Sequence, residues 1–408
     1  MHLKRLQLRH FRNLGIQDLE FPPEGVAIVG DNAQGKSNLL EAIYFLETFR
    51  SFRGARDDQL VEFGEDVFRL VGVLAGSNEA ARGGQEPDAS RDPEPDPPTP
   101  EGMASSMRDT GEAVDSTEVA AAFQKSGRRK KVTIDGVEVD RIGGALGYLG
   151  AVIFSPADIA VVAEGPSERR RFLDIVLSLN ARGYLESLQR FRHILSQRNA
   201  ALREEEPEAV VRAWDEALVR DGGKVMAERR RWIEGWCDRF REYYRIVSGG
   251  KTARMEYHPS IDPGSARTAQ EVTDVYRDAL DETAERERRV GNTVVGPHRD
   301  EVVFTVEGRD DGLDVRDFGS GGQKRTTALA LRLVEADTIR QERGHAPLVL
   351  LDDVFAELDS GRGERILELL QRPEMGQVFL TAPKESDVRL RKDRLLRLGI
   401  QDGRVYAR

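Results

Sequence analysis

One short loop near the start of the chain carries the residue types that hold a phosphate group. Residues 30–37 read GDNAQGKS, which matches the pattern GxxxxGK followed by Ser or Thr, and they lie between a short apolar run and a segment with helical spacing. Glycines at both ends let backbone N–H groups wrap around a phosphate at the positive end of the following helix. Lys36 would neutralise the β- and γ-phosphates, and the Ser37 hydroxyl would ligate Mg²⁺. The residues that this pattern predicts for a P-loop binding ATP and Mg²⁺ are Gly30, Asp31, Asn32, Ala33, Gln34, Gly35, Lys36 and Ser37.

A second segment supplies two adjacent carboxylates. Residues 348–353 read LVLLDD, which is typical of a buried parallel strand whose carboxyl end delivers side chains to the ligand crevice of an α/β sheet. Asp352 would hold Mg²⁺, directly or through water, and Asp353 would orient or activate the water that attacks the γ-phosphate. An apolar run before two aspartates also occurs at the start of ordinary loops, but the upstream P-loop favours a Walker B strand. Lys36, Asp352 and Asp353 are therefore the predicted catalytic residues.

A third motif lies between these two in the sequence. Residues 320–323 read SGGQ and precede a good helix-forming segment. This order is the signature of ABC-type ATPases, in which the serine hydroxyl and glycine amides bind the γ-phosphate that a second subunit holds. Asp359, just after the Walker B strand, is similar to the D-loop residue that crosses the dimer interface in these ATPases. Both short motifs are also consistent with ordinary helix N-caps.

Together the motifs predict a mechanism in which ATP is sandwiched between two heads, so that binding dimerises the protein and hydrolysis releases it. The residues predicted to act on the partner's nucleotide are Ser320, Gly321, Gly322 and Gln323. We expect an α/β fold, an ABC-type P-loop ATPase head of mixed sheet and helices with an inserted, mainly helical lobe. The predicted segments are an N-terminal head part (1–75), a disordered acidic insertion (76–127), a hairpin region of the head (128–165), the helical lobe (166–290) and a C-terminal head part (291–408).

Composition limits the kinds of partner. The net charge of −10 argues against a uniformly basic surface, although residues 77–118 alone contain eleven acidic and three basic residues. The remainder is close to neutral, so any DNA site would be a local basic patch. The single cysteine, Cys237, excludes an internal disulfide, and no apolar run reaches the length of a membrane span. We therefore expect a cytoplasmic protein without a membrane partner.

Longer segments make the chain similar to the RecF family of bacterial DNA-repair proteins. The matching segments are LKRLQLRHFRNL, GDNAQGKSNLLEAIYFL, FSPADIAVVAEGPSERRRFLD, GPHRDE and LLDDVFAELD. The resemblance implies an ATP-dependent homodimer on gapped DNA or on junctions of single and double strands, slow ATP hydrolysis, and cooperation with RecO and RecR to load RecA. The signature differs from the SQGQ-like form of that family, and the acidic insertion is unusual. Thr381 occupies the position of the switch histidine of transporter ATPases, which argues against a transporter subunit.

Basic runs are the candidates for DNA contact. They are Arg128, Arg129, Lys130, Lys131, Arg169, Arg170 and Arg171, with a further run at 229–231. A run of arginines on a helix is more often a solvated, salt-bridged face than a DNA site. His298 and Arg299 belong either to a loop near the nucleotide or to a buried structural ion pair. The other functional classes that the sequence leaves open are a transporter ATPase subunit, an SMC-type head and a nucleotide switch without turnover.

Overall fold

The computed structural model describes residues 1–76, 116–266, 268–307, 312–372, 374–388 and 395–407, and for 356, 357 and 386 it describes the backbone only. Most of the segment predicted to be disordered therefore lies outside the described residues. The strands are β1 (His2–Arg9), β2 (Ile16–Glu20), β3 (Gly25–Val29), β4 (Val67–Ala75), β5 (Ser116–Gln124), β6 (Arg129–Ile134), β7 (Val137–Glu138), β8 (Ala151–Phe154), β9 (Ala253–His258), β10 (Glu301–Val306), β11 (Leu313–Asp314), β12 (Leu348–Leu351), β13 (Val378–Ala382), β14 (Leu396–Gln401) and β15 (Arg404–Ala407). The helices are α1 (Lys36–Thr48), α2 (Ile159–Ala163), α3 (Pro166–Asn180), α4 (Tyr184–Arg203), α5 (Glu208–Arg212), α6 (Asp215–Ser248), α7 (Ala269–Val290), α8 (Val315–Phe318), α9 (Gly321–Arg343) and α10 (Ser360–Leu370).

A mostly parallel sheet forms the centre of the head. Its strand order is β15-β14-β3-β13-β12-β8, in which only β15 runs antiparallel to its neighbour. Alternate residues of β12 enter two different apolar clusters: Leu348 and Leu350 pack on the side of α1, and Val349 and Leu351 pack on the side of α9. Because both faces are covered, the strands are apolar throughout, as expected for a parallel sheet. The carboxyl ends of β3 and β12 therefore bring the P-loop and the two aspartates to one edge.

An antiparallel sheet of order β2-β1-β4-β5-β6-β7 covers α1 from the other side. Its inner face includes Leu8, Leu70 and Phe68, and Phe68 packs edge-to-face on Phe11 and Phe45 at centroid distances of 5.2 and 5.4 Å. The N-terminal strand β1 lies between β2 and β4 and runs antiparallel to both.

The sheet corrects one predicted boundary. We expected residues 76–127 to be a disordered insertion, whereas Ser116–Gln124 form β5 and pair with both β4 and β6. Thr117, Val119, Ala121 and Phe123 alternate along β5 and are buried, so this segment buries enough surface to join the core. The predicted hairpin after it is confirmed, because Asp135 and Gly136 take φ values of 50° and 81° between β6 and β7, as a type I′ turn requires.

The helical lobe also contains a strand. This strand, β9, pairs with β10 across the predicted boundary at residue 290, in the sheet β11-β10-β9. The long helix α6 joins the lobe to α9: Trp232 donates a hydrogen bond to Thr338, and Asp337 accepts hydrogen bonds from Arg239 and Tyr243 at 2.8 and 2.6 Å. Within the described part of the chain, no helix combines the length and apolar character needed to cross a membrane.

A buried carboxyl in α1 makes stability depend on pH. Glu47 is 1% exposed and accepts hydrogen bonds from the backbone N–H groups of Leu149 and Gly150 at 2.9 and 3.0 Å. Burial raises the pKa of Glu47 from 4.5 to about 7, although Arg343 and these N–H groups oppose the shift. Because the folded pKa lies above the unfolded one, the protonated form favours folding, and this contribution is present below pH 4.5 and is lost as the pH rises to about 7.

We expect Glu47→Gln to remove this dependence. The glutamine carbonyl can accept the same two N–H groups without ionising, so the variant should gain stability relative to the parent by on the order of 2 kcal/mol between pH 5 and pH 8. Urea unfolding of both proteins at the two pH values measures this difference, and Glu282→Gln on the exposed face of α7 is a control. An equal difference between parent and Glu47→Gln at both pH values would contradict the raised pKa.

Candidate functional site

The P-loop has the geometry that its sequence predicts. It connects β3 to α1, and Gly35 caps the helix with a φ of 110°. A Cβ at Gly35 would lie 2.9 Å from Asn13 Oδ1, and one at Gly30 would lie 2.5 Å from the Ile400 carbonyl oxygen. A side chain at position 30 would therefore clash with the backbone of β14, and one at position 35 would displace Asn13 and strain a backbone with positive φ, which explains why both ends are glycine.

The lysine side chain of the P-loop folds back onto the start of the loop. Lys36 is 4% exposed, and its Nζ donates to the carbonyl oxygens of Gly30 and Asp31 at 2.7 and 3.0 Å. These bonds place a positive charge above the N-terminus of α1, where the free N–H groups of the first turn also attract an anion. The arrangement can bind a phosphate once the ammonium exchanges a carbonyl oxygen for a phosphate oxygen.

The hydroxyl and the carboxylate predicted to hold Mg²⁺ are adjacent. Ser37 Oγ donates to Asp352 Oδ1 at 2.7 Å, and the backbone N–H of Asp352 donates to the Phe154 carbonyl at 2.9 Å, which fixes the end of β12. Mg²⁺ prefers hard oxygen ligands and is typically held by one or two protein groups together with phosphates and water. This oxygen pair fits that preference, so Ser37 and Asp352 are the residues that would hold the ion.

Asp353 is unusual in backbone and side chain. Its φ of 49° lies in the left-handed region, which costs energy for a residue with a Cβ. Its Oδ1 is buried and, among the residues that the structure describes, has no hydrogen-bond partner. Burial raises the pKa of Asp353, and the negative charge of Asp352 adds to the increase while Lys36 opposes it. An unpartnered carboxylate with a raised pKa beside a phosphate site is suited to accept a proton from water.

Thr381 joins the two aspartates. Its Oγ1 accepts the backbone N–H of Asp353 at 3.0 Å and lies 3.1 Å from Asp352 Oδ1. The residue that replaces the switch histidine thus holds the strained backbone of Asp353 in place. The sequence predicts for Thr381 only the absence of a switch histidine. The contact follows from the pairing of β13 with β12, which brings the end of β13 beside the two aspartates.

A second group of polar residues, which no sequence motif predicts, supports the P-loop. The turn between β14 and β15 closes on it, since Gly403 N donates to the Gln34 carbonyl at 2.9 Å and Asp402 N donates to Gln34 Oε1 at 2.6 Å. From the other side, Asn13 Oδ1 accepts Asn38 Nδ2 at 2.8 Å. These partners are far apart in the chain, so no local pattern connects them to the nucleotide.

A buried carboxylate fixes α1 beside this group. Glu41 is fully buried and accepts two hydrogen bonds from Arg12 at 2.9 and 3.0 Å, with Arg53 Nη1 3.7 Å away. Ser51 donates to the same carboxylate at 2.5 Å. Because a buried charge is tolerated only when it is paired and hydrogen-bonded, the cluster holds both arginines next to the P-loop helix.

The signature and D-loop residues are helix caps that lie side by side. Ser320 Oγ accepts the N–H of Gln323 at 3.3 Å and Gln323 Oε1 accepts the N–H of Ser320 at 2.8 Å, a capping box at the start of α9. Asp359 caps α10 and pairs with Arg362 at 2.8 Å. A Cβ at Gly322 would lie 2.7 Å from Arg362 Nη1, so the two caps share one surface. Ser320 and Asp359 are therefore both helix N-caps in the structure. The action of the signature and the D-loop on a partner's nucleotide stays a prediction.

Several cations proposed for DNA are engaged within the protein. Arg169 is 3% exposed and donates to both carboxylate oxygens of Glu301 at 2.7 and 2.9 Å, so the structure does not support it as a DNA contact. Arg170 donates to the Asp300 carbonyl at 2.7 Å. Lys130 is half-buried between the Phe49 carbonyl and Asp57, each 2.7 Å away. In contrast, the side chains of Arg128, Arg129, Lys131 and Arg171 are exposed.

The segment GPHRDE belongs to the core of the helical lobe. Asp300 is fully buried, accepts the N–H of Ser260 at 2.8 Å and the hydroxyl of Tyr257, and lies 3.6 Å from Arg229 Nη1. Burial lowers the pKa of His298 to about 4, so this side chain is neutral. The buried ion pair of this segment is formed by Asp300 and Arg229, which belongs to the basic run at 229–231. His298 and the exposed Arg299 instead contact the carbonyl oxygen of Thr293 at 3.0 and 3.3 Å, so the structure places neither of them in an ion pair.

Comparison with known proteins places this site in a family. A family model described as RecF/RecN/SMC N terminal domain matches residues 2–405. The DNA replication and repair protein RecF of Gloeobacter violaceus is 36% identical over 377 residues, covering 91% of this chain and 89% of that protein. The RecF protein of Chloroflexus aggregans is 35% identical over 419 aligned residues, covering 100% of both chains. A solved structure of the recombination mediator protein RecF with ATP, in the RecFOR pathway, superposes with a TM-score of 0.82 at 30% identity and covers 100% of this chain and 97% of that one. The predicted fold class, an α/β ATPase head of mixed sheets and helices, is confirmed by these matches.

Proposed function

The chain belongs to the RecF family of DNA replication and repair proteins, and from this premise we propose that it is an ATP-driven DNA-binding protein of recombinational repair and replication restart. In this proposal ATP and Mg²⁺ bind at the P-loop, two copies close on the nucleotides, and the dimer holds gapped DNA or a junction of single and double strands. RecO and RecR are its partners in loading RecA. The protein acts in the cytoplasm, and slow ATP hydrolysis releases the dimer.

The contact between Ser37 and Asp352 carries the nucleotide part of the proposal. Residues 315 positions apart in the chain meet at 2.7 Å, with Lys36 above the helix N-terminus on the same edge of the sheet. Phosphoryl-transfer sites of P-loop proteins need these three groups together, a lysine on the β- and γ-phosphates and a hydroxyl and an aspartate on Mg²⁺. The RecF relative of known structure is described with ATP, which supports the same ligand here.

The exposed signature supports the dimer. Ser320 makes its described side-chain hydrogen bond within its own helix, and Phe318, two residues earlier, is 71% exposed. A large aromatic side chain exposed next to a glycine-rich helix start suggests a surface that another molecule covers. In an ATP sandwich that molecule is the second copy, whose P-loop presents the γ-phosphate.

Sedimentation velocity tests this proposal. We expect Mg-ATP to shift the parent protein from monomer to dimer and the dimer to sediment with a short gapped duplex. Lys36→Ala should remain a monomer under the same conditions. If ATP binds but no dimer forms and the duplex sediments alone, the sandwich mechanism is wrong for this chain.

A further inference from the structure

Three cations stand in one row across the antiparallel sheet. The strand register places Arg9 of β1 directly opposite Arg69 of β4, Arg69 opposite Ala122 of β5, and Ala122 opposite Lys131 of β6. Residues directly opposite each other in antiparallel strands project from the same face. Arg9, Arg69 and Lys131 therefore share one face, and only the small side chain of Ala122 stands between the last two.

This face points away from the core. The neighbouring row of Leu8, Leu70, Ala121 and Val132 is buried against α1, so alternation along each strand turns the cationic row outward. Arg9, Arg69 and Lys131 are all exposed. Arg129, opposite Gln124 in the next row of the same face, extends the positive charge toward the β5–β6 turn.

The two arginines have no described carboxylate partner. Lys131 pairs with Glu138 at 2.8 Å. Asp18, on the same face, forms a salt bridge with Arg5 and accepts a hydrogen bond from Gln7. Across the part of the chain that the structure describes, no ion pair or side-chain hydrogen bond is formed by Arg9 or Arg69. Like charges directly opposite in a sheet destabilise it, so the fold alone does not explain why two arginines face each other. An anion that lies along the row would offset their repulsion.

We propose that the phosphate backbone of duplex DNA lies along this row, with Arg9 and Arg69 as its central contacts and Lys131 and Arg129 at its flank. The proposal rests on the DNA-binding function proposed above. Strands about 4.8 Å apart place Arg9 and Lys131 about 14 Å apart across three strand steps. Each strand of duplex DNA carries one phosphate per about 3.4 Å of the helix axis, so a backbone that follows the row for about 14 Å offers a phosphate to each cation. The guanidinium fork of arginine matches the geometry of phosphate oxygens.

The row is also connected to the nucleotide site. Arg9 ends β1, and the loop that follows carries Arg12, paired with Glu41 of the P-loop helix, and Asn13, bonded to Asn38 of the same helix. DNA on this face thus lies one short loop from the ATP site. A nucleotide-driven movement of α1 would reach the row through these contacts.

The test is the double variant R9A/R69A, compared with the parent protein by fluorescence anisotropy of a labelled blunt duplex in the presence of Mg-ATP. Two lost phosphate contacts should weaken binding about tenfold at low salt and reduce the slope of log affinity against log salt by about two. The matched control is R212A/R241A, which removes the same charge from two exposed arginines outside the candidate runs, paired with Glu208 and Asp238. The control should keep the parent's affinity and slope.

Thermal unfolding separates a binding role from a structural one. Because R9A/R69A removes a repulsion, its melting temperature should equal or exceed that of the parent, while DNA binding falls. If the row instead holds the chain's own acidic segment, residues 77–115, DNA affinity would stay unchanged or rise in R9A/R69A, and this outcome overturns the proposal. Failure of the parent protein itself to bind the duplex would overturn the proposed DNA function as well.

Discussion

Replacing Lys36 with alanine is expected to weaken ATP binding by at least about 100-fold, equivalent to about 3 kcal/mol of binding free energy. Lys36 is the buried cation at the mouth of the P-loop, and its ammonium already bridges the carbonyl oxygens of Gly30 and Asp31. In the complex it would form charge-assisted hydrogen bonds to phosphate oxygens, which are about twice as strong as neutral ones. Titration calorimetry with Mg-ATP measures the change directly.

Two controls make the result specific. Lys4→Ala removes an exposed lysine from β1 and should leave the affinity for ATP unchanged. Lys36→Arg keeps the charge but not the compact ammonium, so it should bind ATP more weakly than the parent and more strongly than Lys36→Ala. Near-parental binding by a folded Lys36→Ala protein would show that the loop is not the phosphate site.

The site residues that the sequence predicts are those whose chemistry lies in one contiguous segment. The P-loop spans eight adjacent positions, and the order of strand, loop and helix around it is visible in the spacing of apolar residues. The Walker B aspartates are predicted because a strand buried on both faces leaves a continuous apolar run before them. In both cases the local sequence is sufficient to predict the strand and the functional residues that follow it.

The residues that sequence reasoning missed depend on partners that are distant in the chain. Arg169 belongs to a basic run that is typical of an exposed surface. In the structure it is buried and forms an ion pair with Glu301, 132 positions away. Residues 76–127 are predicted to be disordered because they contain almost no large apolar residues, whereas the burial of β5 depends on β4 and β6 on either side. Arg9 and Arg69 become neighbours only through the register of β1 and β4. This register cannot be predicted from the spacing of residues along either strand.

The second large effect is expected at Asp353, where asparagine should preserve ATP binding and reduce hydrolysis by at least about 100-fold, about 3 kcal/mol of transition-state stabilisation. Asparagine has the same shape but cannot accept a proton from the attacking water. Burial and the charge of Asp352 raise the pKa of Asp353, so its carboxylate is a better base than an exposed aspartate. Removing its charge also relieves repulsion with the γ-phosphate, so the affinity for ATP should be equal or higher.

The same substitution separates binding from turnover. If Asp353 is the base, Asp353→Asn should form the ATP dimer and hold it, because the step that releases the dimer is blocked, whereas Lys36→Ala forms no dimer. Phosphate release in a single turnover and sedimentation with Mg-ATP measure the two properties on the same sample. Asp278→Asn is the matched control, because it makes the same substitution at an exposed aspartate of α7 and should keep parental hydrolysis. Parental hydrolysis by Asp353→Asn would mean that another group activates the water, and the raised pKa of Asp353 would then reflect only the strained, buried end of β12.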